Sequence, residues 1–434
     1  MGVTPTASKP SFREALGVWA KIGVLSFGGP AGQIALMHRM LVDERKWIPE
    51  DRFLHALNFC MLLPGPEAMQ LATYIGWRLH GTLGGLAAGL LFVLPGSLVV
   101  LGLTIAYVLF GQLPMVEAAF LGIKAAVLVI VIEALLKLAR RALLRPHAWA
   151  IAAAAFAAIF FFAVPFPLII AAAAALGFLV AQAQPAAKEA TAAELAPSVP
   201  LIRSLGTVCL WLAIWIAPLL MTALLFGRHH VTTDIALFFS KLAVVTFGGA
   251  YAVLAYMAQQ AVETYGWLKP GEMLDGLGLA ETTPGPLILV TEFVGFIAAY
   301  RQGGEPKIAF GLLGAAITLW ATFAPCFLWI FAGAPYIERL SASPKLAGAL
   351  GGVTAAVVGV ILNLSLWFGL NVLFGRVEAE WHGPLRIWNA DIASLNVEAL
   401  LLALFAAALL LWLRAGIAGT LALTAGAALA WSFV

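Results

Sequence analysis

The feature that most limits this chain is the recurrence of apolar runs about as long as a bilayer is thick. They occupy residues 83–110, 114–139, 147–163, 165–183, 204–226, 234–260, 307–334, 346–374, 396–413 and 415–433. A helix needs roughly 20 such residues to cross the hydrocarbon core. In lipid only helices and closed barrels satisfy every backbone N–H and C=O, and unbroken apolar runs of this length suit helices. The expected fold is all-α, a polytopic membrane protein whose main partner is the lipid bilayer. Charged residues make up 11% of the chain, against about 25% in soluble domains. Three less clean segments, 12–29, 51–79 and 271–300, bring the expected full or partial crossings to about 13.

The net charge of +3 is small and the basic residues are scattered at segment ends, so no nucleic-acid partner is expected. Cys60, Cys209 and Cys326 lie far apart in apolar segments. They suggest neither a metal site nor a disulfide framework, and nothing points to a cofactor. The N-terminus, MGVTPTASKPSFREALG, lacks a cleavable-signal pattern and reads as a short cytoplasmic tail.

The chain repeats itself. Aligning Lys21 with Lys241 and continuing without gaps to Pro66 and Pro286 gives 14 identities in 46 positions. They include Phe27-Gly28-Gly29 with Phe247-Gly248-Gly249, Met37 with Met257, Trp47 with Trp267, and Pro64-Gly65-Pro66 with Pro284-Gly285-Pro286. Shared hydrophobicity alone would not align a Lys, a Trp, a Gly pair and a Pro-Gly-Pro at one offset of 220. A later match, Gly122-Ile-Lys-Ala-Ala-Val with Gly352-Val-Thr-Ala-Ala-Val, extends the repeat at a slightly larger offset. The expected organisation is an N-terminal repeat over 1–183, a cytoplasmic linker over 184–203 rich in Ala, Pro and charge, and a C-terminal repeat over 204–434.

Lys137, Arg140, Arg141 and Arg145 cluster after the 114–139 segment, which places that loop in the cytoplasm. The matching loop, 375–395, sets Arg376 and Arg386 against Glu378, Glu380 and Asp391 and reads as external. Crossing counts agree: segment 204–226 adds one span and inverts the second half. The expectation is two homologous repeats in inverted topology, with the N-terminus cytoplasmic and the C-terminus external; parallel repeats are the alternative. Inverted repeats recur in transporters, with the substrate held near the midplane.

Each Pro-Gly-Pro breaks a helix. Pro64 drives Leu63 out of helical geometry, and Pro66 suits the first position of a new helix. Segment 51–79 therefore reads as a broken or re-entrant helix, two half-helices of about a dozen residues each, neither of them spanning alone. The second half-helix presents the N–H groups of Glu67, Ala68 and Met69, with roughly half a positive charge from its macrodipole. An anion is a good partner for such donors. Pro286 does the same ahead of Leu287, Ile288 and Leu289, and Thr282 and Thr283 add hydroxyls before the break. Two such ends meeting from opposite sides would form an anion cage; the bland alternative is a pair of kinks satisfied by neighbouring helices. Gly28-Gly29 and Gly248-Gly249 are either close-packing positions or a second irregular stretch lining the pathway. Phe27 and Phe247 read as core.

Charges within apolar segments cost roughly 3 kcal/mol each. Lys21, Lys241 and Lys124 are candidates to balance a bound anion, although Lys21 and Lys241 also have the reach to snorkel to an interface. Glu67, beside the proposed site, repels an anion when ionised and permits one when protonated, which makes it a candidate for proton coupling or simply a helix cap. Glu281 and Glu292 flank the second break with the same ambiguity. His229-His230 reads as solvated.

The segments SFGGPAGQIALMHRMLVDERKWI with LLPGPEAMQLATYIGWRLHG, and TFGGAYAVLAYMAQQAVETYGWL with TTPGPLILVTEFVGF, resemble the chromate ion transporter family in its long, two-repeat form. The match covers nearly the whole chain. The resemblance implies export of chromate across a bacterial inner membrane, giving resistance, with kinship to sulfate, an anion of the same shape and charge. The family motifs fall on Phe27-Gly28-Gly29-Pro30, Pro64-Gly65-Pro66, Phe247-Gly248-Gly249 and Pro284-Gly285-Pro286; Ala250 stands where the first copy has Pro30. Chromate is mostly a dianion near neutral pH and gains roughly 4.6 kcal/mol on leaving through 100 mV, inside negative. Export therefore needs no coupling, and proton antiport is an addition. A sulfate or other anion carrier is the same-class alternative. A membrane-embedded enzyme acting on a lipid phosphate would require a nucleophile or metal cluster that the sequence does not offer, so no enzymatic activity is expected.

Overall fold

The computed structural model describes residues 10–27, 29–182, 201–247, 250–334 and 344–433, and the fold is helical. One order of elements occurs twice. The first half opens with α1 (Phe12–Leu25), α2 (Gly29–His38) with a π-helical turn over Arg39–Glu44, α3 (Glu50–Leu62) and α4 (Glu67–Phe110). It continues with α5 (Pro114–Ala142), α6 (Pro146–Phe162) and α7 (Phe166–Gln182). After α8 (Leu201–Phe226), the series returns as α9 (Val231–Val245), α10 (Ala250–Gln259) with a π turn over Gln260–Thr264, α11 (Pro270–Thr282) and α12 (Val290–Gln302). Then follow α13 (Lys307–Gly333), α14 (Pro344–Leu373), a two-stranded hairpin of β1 (Val377–His382) and β2 (Leu385–Ala390), α15 (Val397–Ala407) and α16 (Ile417–Trp431).

Among the described residues, five helices are long and apolar enough to cross a bilayer: α4, α5, the 204–226 part of α8, α13 and α14. The expected single run 234–260 is instead two helices, α9 and α10, interrupted after Val245 as α1 and α2 are interrupted after Leu25. The expected loop 375–395 contains the β-hairpin. Its Arg386 is buried, and its guanidinium donates to the carbonyls of Ile159 and Phe160 at 3.0 and 3.3 Å, and to Glu263 at 3.2 Å.

Helix α4 is two arms. His80 and Gly81 leave helical geometry, with Gly81 at φ +65°. A straight helix would separate Thr73 from Gly89 by about 24 Å, yet a methyl on Gly89 would lie 2.5 Å from Thr73 Oγ1. Gly76 and Gly84 approach equally closely, each against the other's carbonyl. The first arm thus turns back, and the second, from residue 82, supplies the full-length span that the 83–110 run predicts.

The two Pro-Gly-Pro turns are tips of helical hairpins. Phe59 and Tyr74, on either side of the first tip, have ring centroids 6.2 Å apart. Across the second, a methyl on Gly276 would meet the Phe293 ring at 2.4 Å. Collinear half-helices would hold these pairs about 23–26 Å apart. The arms therefore fold back on one another, as helical hairpins.

Packing interleaves the halves. Helix α14 of the second half lies against α6 and α7 of the first, with Gly352 on the Ala173 carbonyl and Gly359 on the Ala152 carbonyl. Reciprocally, α15 and α16 lie against α5, with Gly122 on the Thr424 carbonyl. Small residues permit this approach, and dispersion between closely packed helices replaces the hydrophobic drive that lipid does not supply.

Candidate functional site

Each hairpin tip is held by the opposite half. The Gly65 N–H donates to the Thr246 carbonyl at 2.9 Å, and the Gly285 N–H donates to the Ser26 carbonyl at 2.8 Å. Ser26 and Thr246 occupy matching positions, the C-caps of α1 and α9. Their carbonyls are free because the helices stop there. Gly65 has φ +115° and Gly285 φ +95°, a region that side chains resist. A methyl at Gly65 would sit 3.0 Å from Cys326 Sγ, and one at Gly285 would sit 3.3 Å from Gly96 Cα. Gly96 follows Pro95 inside α4, and Cys326 follows Pro325 inside α13. Such exchange of equivalent contacts is what a two-fold relation produces.

Two glutamines complete the tips. Gln70, in the first turn and a half of α4, donates Nε2 to the Pro64 carbonyl at 2.7 Å. Gln33, on α2, donates Nε2 to the Gly285 carbonyl at 2.6 Å. Both are 0% exposed, and the Oε1 of each has no hydrogen-bond partner among the described residues. At the first tip Gln70 N–H bonds the Pro66 carbonyl, so the intrahelical ladder begins there. The amides of Glu67, Ala68 and Met69 precede it and have no place in that ladder. The second tip opens with a 3₁₀ turn over Leu287–Leu289, and its first ladder bond is Leu289 N–H to Pro286. Leu287 and Ile288 are the corresponding amides.

The expected acidic residues fall around these tips. Glu67 is half-buried in the first turn of α4. Glu292 is 1% exposed and accepts from Ser97 at 3.0 Å, beside the Gly96 contact, while its Oε2 is unpartnered. Glu281 is buried and accepts from Tyr251 Oη at 2.6 Å. Thr282 and Thr283 lie in place, but their hydroxyls already donate to Leu279 and Ala280 carbonyls, so neither offers the expected free donor.

The lysines are not gathered at the tips by any of these contacts. Lys21 and Lys241 are exposed on α1 and α9, with Lys241 Nζ 5.9 Å from the Tyr256 ring centroid. Lys124 lies 3.2 Å from Asp275 Oδ1, whose Oδ2 accepts from Tyr107 Oη at 2.9 Å. Glu133, too far along α5 to pair with Lys124, pairs with Lys137 instead. Gly29 opens α2 at φ +73°, whereas Gly28, Gly248 and Gly249 lie outside the described residues. Phe27 is 47% exposed rather than core. It sits where the α1 helix has ended. His230 is not simply solvated: it stacks on Phe226 and approaches the Gly303 carbonyl at 3.2 Å.

Sequence reasoning passes over Gln33, Gln70, Asp275 and Tyr107. The search for costly groups attends to formal charge, and a glutamine in an apolar run carries none. Asp275 stands five residues inside its helix and resembles an end residue until α5 is seen beside it.

Residues 13–178 and 233–431 match the chromate transporter family. The chain is 32% identical to a probable chromate transport protein of Synechococcus elongatus over 83% of this chain and 85% of the relative. It is 33% identical to a chromate transport protein of Pseudomonas aeruginosa over 81% and 79%. It is 30% identical to one from Cupriavidus metallidurans over 83% of both chains. No solved structure matches it.

Proposed function

The chain belongs to the chromate transporter family, a family of transporters rather than enzymes, and we propose that it exports chromate across the inner membrane of a bacterial cell, driven by the membrane potential. The observation that supports a path through the hairpin tips is the reciprocal cradle, Gly65 on Thr246 and Gly285 on Ser26. It sets two helix N-termini, each with first-turn amides outside the helical ladder, where the two halves interlock. An anion that engages those amides is favoured by both the donors and the dipole. The interlocked halves act as the two repeats, spanning 1–183 and 204–434 about the 184–203 linker. They work by alternating access in inverted topology, with the N-terminus in the cytoplasm and the C-terminus outside. Sulfate, of the same shape and charge, is the anion against which selectivity is measured.

Lys124 acts through Asp275 on the α11 arm of the second hairpin. Lys21 and Lys241 lend positive potential to the approach. Glu67, Glu281 and Glu292 are the groups through which protons would influence the cycle.

The test is uptake of labelled chromate into inside-out vesicles, with sulfate as competitor, under an imposed potential. Chromate entry that rises with interior-positive potential supports the reading. Equal flux in vesicles with and without the protein overturns it. Labelling of single cysteines placed at 144 and 384, both exposed, from each side of the membrane tests the inverted topology, which requires opposite sides.

A further inference from the structure

The two glutamines carry information about the protonation state of the cargo. Amide orientation at Gln33 and Gln70 is fixed by their partners, because each faces a carbonyl oxygen and only the NH₂ end can bond there. The Oε1 atoms are therefore the ends left over. Both are buried, and both are unpartnered among the described residues. A buried acceptor without a donor is costly, and here one stands at each tip, within one amide's width of the turn.

The tips thus present two kinds of unmet need. The first-turn amides stand outside the helical ladder and suit an acceptor, and the glutamine oxygens require a donor. A fully deprotonated oxyanion answers only the first. A bare cation answers only the second and is repelled by the helix N-termini. A tetrahedral oxyanion that keeps one hydroxyl answers both. The two glutamines do not occupy matching positions in the repeat, since Val253 and Val290 stand at the equivalents. Both glutamines come from the first half, Gln70 holding that half's own tip and Gln33 the tip of the second half, so each tip receives one amide.

We propose that the hairpin tips bind a proton-bearing oxyanion, whose hydroxyl donates to the free Oε1 of Gln70 at the first tip and of Gln33 at the second. This rests on the transport reading above and names the species carried: hydrogen chromate rather than chromate. It also supplies a basis for selectivity. Chromate takes up a proton near neutrality, whereas sulfate stays deprotonated throughout the physiological range. A site built to accept a hydrogen bond from its ligand rejects an analogue that lacks the donor, because the acceptor is then left unpaired.

The measurement is the charge carried per ion, in proteoliposomes holding the wild-type protein under a potassium-diffusion potential. The limiting chromate gradient is read at equilibrium, at fixed pH equal on both sides. A single charge gives a gradient of about 50-fold per 100 mV, and two charges give about 2,400-fold. The first result is expected and the second overturns the proposal, while an absence of any chromate flux counts against the transport reading itself. As a second arm, Gln70→Leu and Gln33→Leu remove the acceptors. Each should lower the preference for chromate over sulfate about ten-fold or more. A variant that retains transport with unchanged preference also overturns the proposal, and if both variants fail to fold the charge measurement still decides.

Discussion

Replacing Gly65 with alanine tests the tip geometry most directly. At φ +115° an alanine is strained whatever the space around it, at a cost of about 1–3 kcal/mol. The added methyl also has nowhere to go: it would sit 2.8 Å from Gln70 Nε2 and 3.0 Å from Cys326 Sγ. Gln70 has the flexibility to yield, but only by releasing the Pro64 carbonyl that it holds at 2.7 Å. Leaving that half-buried acceptor unpaired costs about a further 1–3 kcal/mol. The sum, about 2–6 kcal/mol, falls on the turn rather than on the helices. Gly102 is the control, since a methyl there meets nothing within 4 Å and its φ is not positive; alanine should leave it unchanged or stabilise it by up to about 1 kcal/mol through helix propensity. Both variants would be followed by thermal unfolding in detergent and by chromate flux in vesicles. Gly65→Ala should unfold at lower temperature and lose most of its flux, and Gly102→Ala should do neither. If Gly65→Ala matches wild type in both assays, the tip is not held as described.

Asp275→Asn leaves Lys124 charged without its carboxylate and should destabilise the protein by about 3–5 kcal/mol; Lys124→Met combined with Asp275→Leu should recover much of that loss, and a double variant less stable than Asp275→Asn would contradict the pairing. His38, the last residue of α2, bonds Glu50 and lies 3.3 Å from Asp43. The Glu50 hydrogen bond, outweighing desolvation, raises its pKa above the ordinary histidine value. A raised pKa stabilises the fold fully below the unfolded value of about 6.5, and the benefit is lost as pH rises through the folded value. The thermal advantage of wild type over His38→Gln should accordingly be larger at pH 6 than at pH 8.5, and the reverse order would exclude the ion pair. Glu67→Gln should alter the pH profile of chromate flux; an unchanged profile would remove Glu67 from any protonation role.

Much of this architecture is legible in the residues because lipid leaves few options. The runs at 114–139, 307–334 and 346–374 become α5, α13 and α14 nearly to the residue, since length and hydropathy suffice to define a span. The turns at Pro64–Pro66 and Pro284–Pro286 are equally legible, since proline and glycine act on the local backbone. What escapes is whatever depends on partners distant in sequence. The 234–260 run gives no hydropathic sign of its break at Thr246, because an unwound segment satisfied by another chain segment can remain apolar. The reversal of α4 at Gly81 looks like a loop between two runs, and only the Gly76–Gly84 approach shows how tight it is. Lys124 shows the same limit: its charge is legible in the sequence, but its partner Asp275, 151 positions away, is not.

The interlocking of Gly65 with Thr246 and of Gly285 with Ser26 has a consequence for how the molecule comes into being. During synthesis the first hairpin emerges well before the carbonyl that will hold it, so its tip waits, incompletely matched, until the ninth helix has entered the bilayer. Severing the chain between residues 184 and 200 should then be tolerated only when both fragments are made in the same cell. Either fragment alone would carry a turn with no counterpart to close upon.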